Sequence, residues 1–185
     1  SVAGLDLDLS KPELLEEKIK EASSLWGTID VLINNAAIVN PIAELGNITL
    51  NDLGEASQIN FISPVLLINH CWKYLKKSKG KILNILSAAA INPVEGWSAY
   101  CSTKAALHMI NQQAHLEGIH YNIKSIGLSP GMVDTAMQEK IRESGINRIS
   151  KVKKSDLLPV ELPAQLGFWC ASDDANDLSG KMISL

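Results

Sequence analysis

The chain has 185 residues with a formal net charge of −3, so no strong overall charge favours nucleic acid or an anionic membrane as a partner. Hydrophobic residues make up 46% of the sequence, which excludes disorder as its main state. No apolar run reaches the roughly 18 residues of a membrane span, and three widely spaced cysteines indicate neither a disulfide framework nor a metal site. We therefore expect a cytoplasmic protein without a metal ion.

Strand-like apolar runs alternate with helical patterns along the chain, which is typical of a parallel sheet built from βαβ units. Residues 2–9 predict an extended segment, and Ser10 with Glu13 predicts a capping box that starts a helix ending at Gly27. Further strands are predicted at 29–34, 81–86, 123–128 and 181–185, and further helices at 49–77, 98–116 and 162–170, with mixed helix and loop at 135–158. The order predicts a single domain with a parallel α/β sheet over residues 1–185.

Chemically distinctive residues follow three of the predicted strands. Asn34 ends the strand at 29–34, Ser87 follows the strand at 81–86, and Pro130 with Gly131 follows the strand at 123–128. Open α/β sheets bind their ligands outside the carboxyl ends of the strands. This placement predicts a ligand site at that end of the sheet.

Tyr100 and Lys104 lie four residues apart on a predicted helix, so their side chains share one face. A neighbouring ammonium lowers the pKa of a phenol, which starts near 10. A tyrosine tuned in this way transfers a proton to or from a substrate oxygen near neutral pH. Ser87, at a strand end, is placed to hold the same oxygen, although a Tyr-x-x-x-Lys spacing alone also occurs on helices without chemistry.

Five ordered motifs resemble the short-chain dehydrogenase/reductase family. They are Asn34-Asn35-Ala36-Ala37, Asn60, Ser87, the Tyr100 to Lys104 segment, and Pro130-Gly131 with Thr135. The resemblance implies a doubly wound, Rossmann-like α/β fold. It also implies an NAD(P)-dependent carbonyl reductase or alcohol dehydrogenase that acts on a small-molecule carbonyl and forms a homodimer or homotetramer. The two long helices would supply the subunit contact, with Asn69 and Asn111 as candidates.

The resemblance also implies a role for each catalytic candidate. Tyr100 would be the acid/base, Ser87 would position the carbonyl, and Lys104 would bind the nicotinamide ribose and tune Tyr100. Asn60 would complete a proton relay through water. Pro64 supports this relay physically, because a proline has no N–H to donate to the Asn60 carbonyl and a kink is expected there. The alternative is that Pro64 only bends the helix around the core.

The expected cofactor is NADP, with NAD as the second possibility. The residues that the resemblance assigns to cofactor binding are Asp8, Asn35, Ala36, Ala37, Tyr100, Lys104, Pro130, Gly131, Val133 and Thr135. Among them, Asp8 would lie against the adenine, whereas Val133 and Thr135 would hold the nicotinamide carboxamide.

Within the family, residues 96–101 and 130–138 resemble the sepiapterin reductase and benzil reductase branch. Enzymes of this branch reduce aromatic or heterocyclic diketone-like substrates with NADPH. Trp97, Met132 and Met137 would then form an apolar, deformable wall beside the substrate. Ordinary core packing is the alternative interpretation of these three residues.

The glycine-rich turn that holds the cofactor pyrophosphate in this family is absent from the sequence, as are two leading βα units. Without them, residues 2–9 have no strand neighbour and residues 29–34 become an apolar sheet edge. The chain is then either part of a longer protein or a shortened relative whose strands pair directly. A non-catalytic or regulatory relative is the alternative function, and an epimerase or dehydratase on the same scaffold is a third.

Overall fold

A computed structural model describes residues 2–185, and within them four parallel strands form one sheet in the order β1-β2-β3-β4. The strands are β1 (Val31–Asn34), β2 (Lys81–Ile85), β3 (Lys124–Ser129) and β4 (Met182–Ser184). The helices are α1 (Leu15–Trp26), α2 (Leu50–Ser57), α3 (Ser63–Ser78), α4 (Ser98–Gly118), α5 (Ala136–Ser144) and α6 (Glu161–Ala171). The predicted parallel α/β architecture is confirmed.

Helices cover both faces of the sheet, as a doubly wound fold requires. Neighbouring residues of β2 show this, because successive side chains of a strand point to opposite faces. Ile82 is buried in a cluster with residues of α1, α3 and α4. Leu83 is buried on the other side with Cys170 of α6. No helix within residues 2–185 combines the length and the hydropathy needed to cross a bilayer.

Strand β1 lies at the edge of the sheet, as the sequence predicts, and the side chain of Ile33 is 52% exposed there. The extended segment predicted at residues 2–9 pairs with no strand in the described residues, as expected from the absence of the two leading βα units. It is instead attached to α3, where the Ser63 hydroxyl donates to the Leu9 carbonyl at 2.6 Å. A strand without a hydrogen-bonded neighbour has no ladder to stabilise it.

The capping box expected at Ser10 is wrong. The Ser10 amide and hydroxyl both donate to the Asp8 carboxylate, at 2.9 and 2.7 Å, and no side chain caps the turn at Pro12–Leu14. A capping box does form at the start of α2, between Thr49 and Asp52. Ser10 is therefore hydrogen-bonded to Asp8 and does not cap the helix, although the sequence pattern predicts that it would.

A buried ladder of amide side chains crosses the sheet. Asn34 of β1 donates to Asn84 of β2 at 2.9 Å, and Asn84 donates to Asn111 of α4 at 3.1 Å. Asn111 also accepts from the Ser125 hydroxyl at 2.9 Å and donates to the Lys181 carbonyl at 3.4 Å. Because Asn111 is fully buried by these contacts, the expectation that it meets a second subunit is wrong. The hydrogen bonds of this ladder fix the position of α4 along β2.

We expect Asn111→Leu to lower the free energy of unfolding by about 2–4 kcal/mol, because it leaves the buried Asn84 amide and Ser125 hydroxyl without a partner. Chemical denaturation measures this change. Asn51→Leu is the matched control, since Asn51 lies exposed on α2. Equal stability of the two variants would show that the ladder contributes nothing.

Candidate active site

Ser87 and Tyr100 are brought together at the carboxyl end of β2. Ser87 follows that strand and accepts the Ala89 amide at 3.1 Å, which fixes its side chain at the start of a short turn. Tyr100 lies in the first turn of α4 and is only 7% exposed. Burial raises the pKa of Tyr100 to about 12, and the smaller effect of the neighbouring Ser87 side chain acts in the opposite direction. The strand-end hydroxyl and the phenol therefore share one site.

Lys104 follows Tyr100 by one helical turn and is 3% exposed. Its ammonium donates to the Ile85 carbonyl of β2 at 2.7 Å and lies 5.7 Å from the centre of the Tyr100 ring. Burial lowers the pKa of Lys104 to about 8. The expected lowering of the Tyr100 pKa by Lys104 is not found: burial of the phenol raises this pKa, and the opposing effect comes from Ser87.

Asn60 lies in an interruption of the helix predicted over 49–77. The segment Gln58–Ile62 forms a π-helical turn between α2 and α3, and Pro64 lies in the first turn of α3. Such turns are common at functional sites, and the proline cannot donate to the Asn60 carbonyl. The interruption predicted from Pro64 is therefore present, as a change of helix type.

The Asn60 side chain hydrogen-bonds to two other segments of the chain, which the sequence did not predict. It donates to the Ile38 carbonyl and accepts the Ile38 amide, both at 2.8 Å, and it donates to the Thr103 hydroxyl at 3.2 Å. Ile38 belongs to the segment after β1, and Thr103 precedes Lys104 on α4. Asn60 thus ties the strand-end segment to the helix that carries Tyr100 and Lys104.

The segment after β1 presents an open surface at the same end of the sheet. Asn35 and Ala36 are exposed and Ala37 is half-buried. Asp8 is exposed too, and its hydrogen bonds with Ser10 lower the pKa of its carboxyl group. These residues are accessible to a ligand, although Asp8 already uses one carboxylate oxygen in its own turn.

The segment after β3 is held in place by backbone contacts. Gly131 follows Pro130 with a φ of 76°, a conformation that favours glycine. Val133 then pairs with Leu158, where the Asp134 amide donates to the Leu158 carbonyl at 2.9 Å. Thr135 lies exposed before α5. The turn therefore ends at a defined position beside the carboxyl end of β3.

Two of the three candidate wall residues lie beside Tyr100. Trp97 packs edge-on against the Tyr100 ring, with 5.5 Å between ring centres and 80° between planes. Met137 of α5 packs against the same buried cluster, which also contains Ile141. Met132 is 41% exposed and lies outside that cluster. The apolar side of the site is therefore built from α5 and from the residues preceding α4.

The residues present fit the nicotinamide ribose end of a dinucleotide cofactor. Lys104 is buried, and its ammonium makes one described hydrogen bond, to the Ile85 carbonyl at the end of β2. An ammonium has three N–H donors, so two remain for the ribose hydroxyls. The residues present do not provide a site for the cofactor pyrophosphate, since the sequence contains no glycine-rich turn. Among the described residues, no group of three His, Cys, Asp or Glu side chains is arranged for a metal ion.

Comparison with known proteins identifies relatives over most of the chain. The family model described as short chain dehydrogenase matches residues 1–145. A benzil reductase ((S)-benzoin forming) of Bacillus subtilis strain 168 is 40% identical over 182 residues, covering 92% of this chain and 72% of that protein. The Bacillus cereus enzyme with the same description is 36% identical over 146 residues, which cover 75% of this chain and 59% of that enzyme.

Solved structures share the fold. The KRED1-Pglu enzyme superimposes with a TM-score of 0.87 and 28% identity, covering 98% of this chain and 78% of that one. The short chain dehydrogenase/reductase YIR035C of Saccharomyces cerevisiae gives a TM-score of 0.86 at 28% identity, covering 97% and 75%. The chain thus spans about three fifths to three quarters of these four proteins.

Proposed function

Because the chain belongs to the short-chain dehydrogenase/reductase family of NAD(P)-dependent oxidoreductases, we propose that it reduces the carbonyl of an aromatic or heterocyclic diketone-like substrate to an alcohol. The observation that carries this proposal is the meeting of Ser87 and Tyr100 beside the buried Lys104. The 40% identity with a benzil reductase supports the substrate class.

In this mechanism a bound nicotinamide supplies the hydride. The Ser87 hydroxyl holds the carbonyl oxygen and the Tyr100 hydroxyl donates a proton to it. With a pKa of about 12, Tyr100 stays protonated at neutral pH, which is the state that a reduction needs.

Tyr100 must regain its proton after each turnover. Lys104 lies 5.7 Å from the phenol ring and has a pKa of about 8, so its ammonium is a proton source matched to neutral pH. Asn60 holds α4 next to this lysine through Thr103, and its carbonyl has no N–H partner at Pro64. This carbonyl is the site that we assign to the water of the relay.

The cofactor that we propose is NADP, with NAD second. Lys104, Asn35, Ala36 and Ala37 would bind its ribose and adenosine portions, with Asp8 at the adenine. Pro130, Gly131, Val133 and Thr135 would lie along the nicotinamide. Since the sequence lacks the glycine-rich turn and β1 is an open edge, we propose that residues 1–185 are part of a Rossmann-like domain whose phosphate-binding portion lies outside them. We also propose a homodimer or homotetramer.

The same missing turn favours a second candidate, a non-catalytic relative that does not bind the cofactor. Titration with NADPH, followed by nicotinamide fluorescence, separates the candidates when it is carried out on the 185-residue chain and on a form extended at its N-terminus. Binding by either form supports the reductase, and binding by the longer form alone places the phosphate site upstream. No binding by either form would support the non-catalytic relative.

A further inference from the structure

The loop that leads into Tyr100 is held from two sides. The Gly96 carbonyl accepts the Ala43 amide at 3.0 Å, which attaches the loop to the segment after β1. The Glu95 carbonyl accepts the Asn147 side-chain amide at 2.9 Å, which attaches the loop to the segment after α5. Trp97 directly follows these two carbonyls, so both attachments fix the position of its indole.

Asn147 makes this second attachment with a side chain that is only 5% exposed. Its oxygen accepts the Ile149 amide at 3.0 Å and the Ser150 amide at 3.2 Å, which caps the short turn Arg148–Lys151. Its nitrogen donates across to Glu95. An asparagine has both an acceptor and a donor, whereas serine and alanine at this position cannot keep both contacts.

Close packing reinforces the contact between the loop and the segment after α5. Gly96 has a φ of 77°, and a Cβ atom there would lie 3.0 Å from the side chain of Ile146. Ile149 from the same segment packs against the cluster of Trp97 and Tyr100. The two segments therefore form one continuous apolar wall beside the phenol.

We propose that Asn147 is a positioning residue that sets the selectivity of the site for aromatic substrates. This inference rests on the proposed function. An aryl group needs a wall at a fixed distance from Tyr100, because its packing energy depends on close contact. A small aliphatic diketone undergoes the same reduction but makes little contact with that wall. The bond from Asn147 to Glu95 thus matters for the first substrate and not for the second.

The test compares Asn147→Ser, which keeps the cap but is too short to reach Glu95, with Asn147→Ala, which loses both contacts. Asn47→Ser is the control, since Asn47 is exposed. For Asn147→Ser we expect kcat/KM for benzil to fall about fivefold, mainly through KM, the equivalent of one lost hydrogen bond. The value for butane-2,3-dione should stay within about twofold. These rates are measured with NADPH, in whichever form of the protein binds NADPH: the 185-residue chain or the form extended at its N-terminus.

Hydrogen exchange of the Trp97 and Ala43 amides, which donate to the Val94 and Gly96 carbonyls of this loop, tests the attachment without turnover. We expect faster exchange in Asn147→Ser and Asn147→Ala, and unchanged exchange in the control. Unchanged exchange in all variants would overturn the attachment, and equal losses for both diketones would overturn the role in selectivity. A native protein that reduces neither diketone would instead contradict the proposed function, while the exchange data still decide whether Asn147 holds the loop.

Discussion

Tyr100→Phe is expected to lower turnover by about a thousandfold, because it removes the phenol hydroxyl that lies beside Ser87. The ring and its edge-on contact with Trp97 remain, so the fold and NADPH affinity should change little. Steady-state reduction of benzil measures the first effect, and fluorescence titration measures the second.

Tyr121→Phe is the control for this variant, since Tyr121 is 47% exposed in the turn after α4. It should keep native activity. Full activity in Tyr100→Phe would refute the assignment of Tyr100 as the acid.

Lys104→Met should abolish reduction and at the same time stabilise the fold. The ammonium is buried with one hydrogen bond, and its pKa falls from the usual 10.5 to about 8, which costs about 3 kcal/mol of stability at pH 7. Methionine has similar length and no charge, and losing the bond to Ile85 offsets about 1 kcal/mol of the gain. We expect the free energy of unfolding at pH 7 to rise by about 2 kcal/mol.

The lowered pKa of Lys104 also predicts how the free energy of unfolding changes with pH. Between pH 8 and 10.5 the unfolded chain binds a proton at Lys104 that the folded chain has lost, so the stability contributed by this group rises with pH in that window. The rise should be absent in Lys104→Met and present in the control Lys77→Met, whose lysine is exposed on α3. If Lys104→Met were less stable than the native protein at pH 7, the buried ammonium would not lower the free energy of unfolding, and the prediction would be wrong.

The sequence predicts the sheet well because strand and helix patterns alternate regularly and three of the strand ends carry distinctive residues. Ser87, Tyr100 and Lys104 meet because strand ends lie at one edge and because a spacing of four residues is one helical turn. These relations depend on local periodicity alone, which a sequence displays directly.

Other features depend on which groups meet in three dimensions. The Ser10 capping box failed because Asp8, two residues upstream, offered a closer acceptor. Asn111 reads as a polar residue of a helix surface, yet a buried amide ladder takes up its hydrogen bonds. The direction of the Tyr100 pKa also reversed, since the extent of burial is a property of the packed structure.

Asn147 shows the same limit at the site itself. A lone asparagine in a loop gives no sign that it bonds to a carbonyl 52 residues earlier in the chain. Its neighbours Ile146 and Ile149 hint at burial, but only the structure shows that they pack beside Trp97 and Tyr100.

The most direct test of carbonyl reduction is the transfer of an isotope label from the cofactor to the product. Benzil is incubated with the protein, in the form that binds NADPH, and with NADPH carrying deuterium at the transferred nicotinamide position. Mass spectrometry and NMR then locate the label. Benzoin with deuterium on its carbinol carbon, formed by the native protein and not by Tyr100→Phe, is the predicted result. Benzoin without the label, or no benzoin from a protein that binds NADPH, would contradict the account.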